Sequence, residues 1–249
     1  MMPVALVLGC IAALLAISIF AVVISRSPRA APVIYGASLS ASAAAFVTVL
    51  LQLTTASGSA VLPTLVLPLG LPWLGAHFRL DALAIFFLVV INLGGAAASF
   101  YGLGYGRHET APHRLLPFFP AFLAGMNLVI LAADAFTFLL SWEFMSLASW
   151  ALVMTHHRER DNRKAAYIYL VMASFGTLAL LLAFGLLAGV SGDYDFATMR
   201  AAEHTPAVAA FVLILILIGA GSKAGLVPLH VWLPLAHPAA PSHVSALMS

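Results

Sequence analysis

Seven apolar stretches, each close to twenty residues or longer, decide what solvent this chain can fold in. They cover residues 3–24, 33–53, 81–104, 115–133, 135–154, 165–190 and 207–233. A helix needs about 20 mostly apolar residues to cross the hydrocarbon core of a bilayer, and each stretch reaches that length. Only 8% of the residues are charged and 63% are hydrophobic. A soluble domain carries about 25% charge, and far less than that leaves its surface uncovered. The expected fold is an all-α membrane protein of about seven transmembrane helices. Residues 1–104 would hold the first three helices and a loop over 54–80. Residues 105–249 would hold the fourth to seventh helices and the beginning of an eighth.

The first stretch has no basic segment before it and no A-x-A site before Arg26, so it reads as a retained span, not a cleaved signal. The 54–80 loop contains Pro63, Pro68 and Pro72, which break any helix there; an extracytoplasmic hairpin or interfacial loop is expected. Basic residues set the orientation. With the amino terminus outside, Arg26, Arg29, Arg107, Arg114, Arg158, Arg160, Arg163 and Lys164 fall inside, and only Arg79 and Arg200 fall outside. A net charge of +2 gives no reason to expect a nucleic acid partner. The single cysteine, Cys10, allows no internal disulfide. The chain stops at HVSALMS as another apolar stretch begins, which reads as a fragment cut within an eighth span.

Two charges lie inside the apolar stretches. Glu143 is near the middle of the fifth, in DAFTFLLSWEFMSLASWAL. A carboxylate there costs about 2–4 kcal/mol on insertion scales and must find a partner. It is either a protonated glutamate bonding a neighbouring helix or an ion or proton site, with Ser141, Ser146 and Ser149 close in sequence. Lys223 lies in LIGAGSKAGLVPLHVWLPLAHP, five residues before Pro228. Pro228 lacks an amide proton and clashes with the carbonyl of Ala224, so the seventh helix should break just after the lysine. Freed carbonyls at that depth need protein or water, and broken helices often line transport sites. The alternative is a lysine that snorkels to the interface.

Lys223, His230 and His237 are spaced by sevens, which aligns them on a continuous helix, although Pro228 and Pro234 interrupt it. His230 is the better relay candidate and His237 the secondary one. His156 and His157 read as a solvated loop. Asn92 and Asn127 read as glue between helices. Asp81 and Asp134 stand where carboxylates favour helix N-termini. GLGYG at 102–106 ends a span and is no dinucleotide fingerprint. No cysteine set for an iron–sulfur cluster or nickel is present, so no cofactor or metal is expected.

SWEFMSLASWAL and GAGSKAGLVPLHVWLPLAHPAAPSHVSALMS resemble the fifth- and seventh-span motifs of the antiporter-like membrane subunits of complex I, Mrp antiporters and membrane-bound hydrogenases. The likeness extends from FRLDALAIFFLVV onward. Leu235, where complex I relatives carry an aspartate, makes it most similar to the large membrane subunit of hydrogenase-4 and formate hydrogenlyase. The resemblance implies the first half of an inverted-repeat fold, with Glu143 and Lys223 as a proton-passing pair and His230 matching a family histidine. It also implies a non-catalytic, proton-pumping role beside other membrane subunits and peripheral iron–sulfur, hydrogenase or dehydrogenase subunits, in the cell inner (plasma) membrane. The second repeat lies beyond this chain, so only part of a path is expected here. Desolvation favours a neutral lysine and a nearby carboxylate favours its ammonium, so Lys223 would respond to Glu143. A stand-alone cation/proton antiporter and a structural membrane anchor are the alternatives.

Overall fold

The computed structural model describes residues 2–55, 64–70, 74–109 and 111–249. Among these, seven segments are long and apolar enough to cross a membrane, and each coincides with one of the apolar stretches. α1 (Met2–Ile24), α2 (Ala30–Thr55) and α3 (Ala82–Tyr105) pack in succession. The fourth span joins a single turn, α4 (Pro112–Leu115), to α5 (Phe118–Leu131). α6 (Ala135–Val153) and α7 (Arg160–Ala188) are the fifth and sixth spans. A short α8 (Phe196–Ala201) leads into α9 (Pro206–Ala224), and α10 (Leu233–Ala239) and α11 (Ser242–Met248) complete the chain order.

The described part of the 54–80 loop is a hairpin. β1 (Leu65–Leu67) pairs antiparallel with β2 (Ala76–Phe78), Leu65 facing Phe78. Residues 56–63 and 71–73, which include Pro63 and Pro72, lie outside the described residues.

α5 is the centre of the bundle. Its span is 72% buried, whereas the other six are 22–44% buried, and α1, α3 and α6 pack around it. One core runs from Val4 to Val244 and includes Phe119, Leu123 and Leu131 of α5. Large side chains such as Ile19, Val23, Phe100 and Leu182 point outward. In water they would form an aggregating surface, whereas lipid solvates them at no cost.

Lipid tails are as apolar as leucine, so helices here associate through close packing and hydrogen bonds. Asn92 Nδ2 donates to Asn127 Oδ1 at 2.7 Å, joining α3 to α5. α7 and α9 meet at glycines. A Cβ added to Gly219 would lie 2.8 Å from the Gly176 carbonyl oxygen, and one added to Gly176 would lie 2.9 Å from the Gly219 oxygen.

Asp134 anchors the end of the bundle that carries the hairpin. Fully buried, it caps α6 by accepting from Thr137 N at 2.7 Å and Thr137 Oγ1 at 2.6 Å. It also accepts from the β2 amide of His77 at 3.0 Å, with His77 Nδ1 at 3.3 Å. Asp134→Ala leaves these donors unpaired and should cost about 1–3 kcal/mol. Asp134→Asn keeps an equivalent cap and should cost less. Thermal unfolding of the two variants in detergent checks the order; equal melting temperatures would refute it.

The seventh span breaks just after Lys223. α9 stops at Ala224, and Gly225 adopts φ +70 with its amide bonded to the Gly221 carbonyl, a left-handed cap that suits glycine. A Cβ at 225 would lie 2.5 Å from Leu233 Cδ1, so the leucine would also have to move. The chain continues through a 3₁₀ turn at Leu229–Trp232 into α10. Trp232 Nε1 donates to the Ser222 carbonyl at 2.7 Å, so a carbonyl near the helix end keeps a protein donor.

Candidate functional site

Lys223 occupies the last turn of α9, where the negative end of the helix dipole favours a cation. Its Nζ donates to Ser146 Oγ of α6 and to the Tyr169 hydroxyl of α7, both at 2.9 Å. It also lies 5.2 Å from the Tyr169 ring centre and 5.7 Å from that of Trp142, within range of cation–π attraction. The Tyr169 hydroxyl is 2.6 Å from Ser149 Oγ, so the hydroxyl network runs back to α6.

Glu143 lies one helical turn from Ser146, on the α6 flank of the same site. Its carboxylate accepts a hydrogen bond from Thr177 Oγ1. Among the described residues Glu143 and Lys223 form no ion pair within 4 Å; the pairs found are His77–Asp134, Arg79–Asp81 and His156–Glu109. α7 therefore presents Tyr169 to the lysine and, two turns along, Thr177 to the glutamate. Neutral hydroxyls hold each charge, and neither charge neutralises the other.

Lys223 opens on a cavity of about 460 Å³ lined by Trp142, Ala220, Trp232, Leu233 and His237. It is large enough to hold water. His237 stacks on Trp232 with ring centres 6.0 Å apart, and its Nδ1 is 2.9 Å from Ser245 Oγ.

The structure thus places Lys223 and His237 on one cavity, with Glu143 one helical turn along α6 from the serine that holds Lys223. His230 sits apart, exposed on the 3₁₀ turn, because Gly225 resets the helical phase after Lys223. Tyr169, Ser146 and Thr177 emerge as direct partners. Tyr169 and Thr177 did leave a trace in the sequence, as polar residues eight apart and so on one face of an apolar span. Among the described residues no cluster of three or more His, Cys, Asp or Glu has the geometry of a metal site.

These features define a multi-pass membrane protein with an ionisable pair lodged beside a broken helix. Residues 132–249 match the family described as NADH:quinone oxidoreductase/Mrp antiporter, TM, and the chain belongs to this antiporter-like family. It is 44% identical over 179 residues to an uncharacterized protein of Mycobacterium tuberculosis, a match covering 72% of this chain and 28% of that protein. It is 40% identical over 173 residues to Hydrogenase-4 component B of Escherichia coli, covering 69% of this chain and 26% of the relative. A chain of the Mrp complex from Dietzia sp. DQ12-45-1b superimposes with a TM-score of 0.77 at 22% identity, covering 97% of this chain and 26% of that one, which is a likeness of fold. The chain spans little more than a quarter of the length of these two curated relatives.

Proposed function

We propose that this chain moves protons as part of the membrane arm of a redox-driven respiratory or hydrogenase complex. It would reside in the plasma membrane with its amino terminus and hairpin outside and its arginine-rich end facing the cytoplasm. Its partners would be other membrane subunits and peripheral iron–sulfur, hydrogenase or dehydrogenase subunits. The observation that carries this reading is the lysine clasped by neutral groups beside a cavity of about 460 Å³, with a carboxylate one helical turn from its Ser146 partner and not ion-paired to it.

Lys223 is the proton-holding group in this reading. As ammonium it donates to Ser146 and Tyr169 and gains from the dipole of α9. Glu143 sets the balance. Held by Thr177 it leaves Lys223 to the hydroxyls, and moved toward Lys223 it favours the ammonium. Each exchange of partner would load or release one proton at the cavity. His237, on the cavity wall, is placed to take or return that proton; His230 would act farther out, at the exposed turn.

The test is proton movement in inverted membrane vesicles holding the whole complex, followed with a pH-sensitive dye while the electron donor is supplied. Glu143→Gln keeps the shape and the bond to Thr177 but cannot carry charge. It should remove redox-linked proton uptake while the complex still assembles. Normal uptake in that variant would refute the proposal. Uptake driven by a cation gradient without any electron donor would point to a stand-alone antiporter instead.

A further inference from the structure

A second polar cluster lies at the arginine-rich end of the bundle, away from Lys223. Glu109 follows α3 in a short connection, yet its side chain is only 3% exposed. One carboxylate oxygen accepts from Ala111 N at 3.0 Å and lies 3.1 Å from His156 Nε2. The Tyr105 hydroxyl hydrogen-bonds the same carboxylate. His156 is 34% exposed and gives the cluster an outer edge. Its neighbour His157 is engaged elsewhere, 2.8 Å from Arg114.

The inner edge is His243, at the start of α11. Its ring packs 5.2 Å from that of Tyr105 and 6.1 Å from that of Tyr101, and its Nε2 is 2.9 Å from the Tyr35 hydroxyl. Glu109 acts electrostatically on both Tyr35 and His243. His243 is 3% exposed, but among the described residues its Nδ1 has no hydrogen-bond partner. An unpartnered buried nitrogen costs about 1–3 kcal/mol, and packing alone gives no reason to keep one. α11 also carries Ser245, which bonds His237 on the wall of the lysine cavity. One short helix therefore touches both clusters.

We propose that Glu109 and His156 form a proton-loading site at the arginine-rich face, from which Tyr105 and His243 lead inward to α11, the helix that also holds His237 on the wall of the lysine cavity. This rests on the proton-moving reading above. In each transfer one O–H or N–H bond breaks as another forms. His156 takes a proton from water and hands it to the Glu109 carboxylate. The resulting carboxyl passes its proton to Tyr105 as the Tyr105 hydroxyl gives its own to a water, which restores the carboxylate and leaves the proton beside the His243 ring. The ligand is a proton and not an alkali or alkaline-earth cation, because such ions need several oxygen ligands and the partners here are imidazoles, phenols and a single carboxylate.

The test measures initial proton uptake by inverted vesicles of the whole complex against the pH of the medium bathing the arginine-rich face. Glu109→Gln and His156→Gln should both slow uptake. The deficit should widen as that pH rises, approaching about tenfold per pH unit once loading limits the rate, and Glu109→Asp should recover part of it. A deficit of constant size at every pH would mean a packing role and would overturn the site, as would unchanged rates. If Glu109→Gln fails to assemble, the partly exposed His156→Gln decides by the same criterion. A wild-type complex that takes up no protons would instead overturn the underlying function.

Discussion

Replacing Lys223 with alanine should reduce redox-linked proton uptake to the background leak of vesicles while leaving the complex assembled. Assembly survives because the deletion strands nothing. Tyr169 retains Ser149 at 2.6 Å, Ser146 keeps its own helix as a source of acceptors, and Glu143 retains Thr177. Removing one member of a buried ion pair leaves an uncompensated charge and costs about 3–5 kcal/mol. Among the described residues Lys223 and Glu143 form no ion pair within 4 Å, and a glutamate left without the lysine can stay neutral by holding a proton, so the penalty should be smaller. Lys223→Arg sharpens the test. Guanidinium keeps the positive charge and can donate to both hydroxyls, but it does not release its proton in a protein. If Lys223 serves only as a fixed charge, arginine should preserve uptake. If Lys223 must alternate between charged and neutral forms, arginine should be as inactive as alanine. The second outcome is expected, read by dye-monitored uptake alongside complex content on a native gel. Wild-type uptake in the arginine variant would show that proton exchange at this nitrogen is not required.

The spans were legible because nothing but lipid solvates seven such stretches, and Glu143 and Lys223 stood out because charges at that depth are costly. The break after Lys223 is legible too, from Pro228. The clasp was not. A hydroxyl within a span ordinarily bonds a carbonyl one turn back on its own helix, as Thr48 and Ser99 do with Ala44 and Gly95. Thr177 makes that same bond to the Ala173 carbonyl, and the eight-residue spacing from Tyr169 shows a shared face but not what it meets; their role arises from how α7 lies against α6 and α9. The histidines show a different limit. The seven-residue spacing aligns Lys223, His230 and His237 only along an unbroken helix, and the left-handed turn at Gly225 removes that alignment. Glu109 sits among RHET, which reads as a solvated connection on composition. It is His156, brought in from another connection, that closes over it.

The glycine crossing of α7 and α9 should prove the least forgiving place in the bundle. Gly219→Val should abolish accumulation of folded protein, and even Gly219→Ala should destabilise it by about 1–3 kcal/mol. Any Cβ at 219 would meet Leu180 Cγ at 2.6 Å and the Gly176 carbonyl oxygen at 2.8 Å. Leucine can change rotamer, but the carbonyl belongs to the backbone of α7 and yields only if the helices separate. That separation would also pull Tyr169 away from Lys223 Nζ, now 2.9 Å apart. In a membrane it would not be recovered elsewhere, because close packing is what associates the helices. Gly185, farther along α7, is the control: a Cβ there meets nothing within 4 Å, so Gly185→Ala should be tolerated. Denaturation in mixed detergent, with folded fraction read by circular dichroism, separates the two positions. If Gly219→Ala unfolds no earlier than Gly185→Ala, the close approach of α7 and α9 is not what holds the lysine in its clasp.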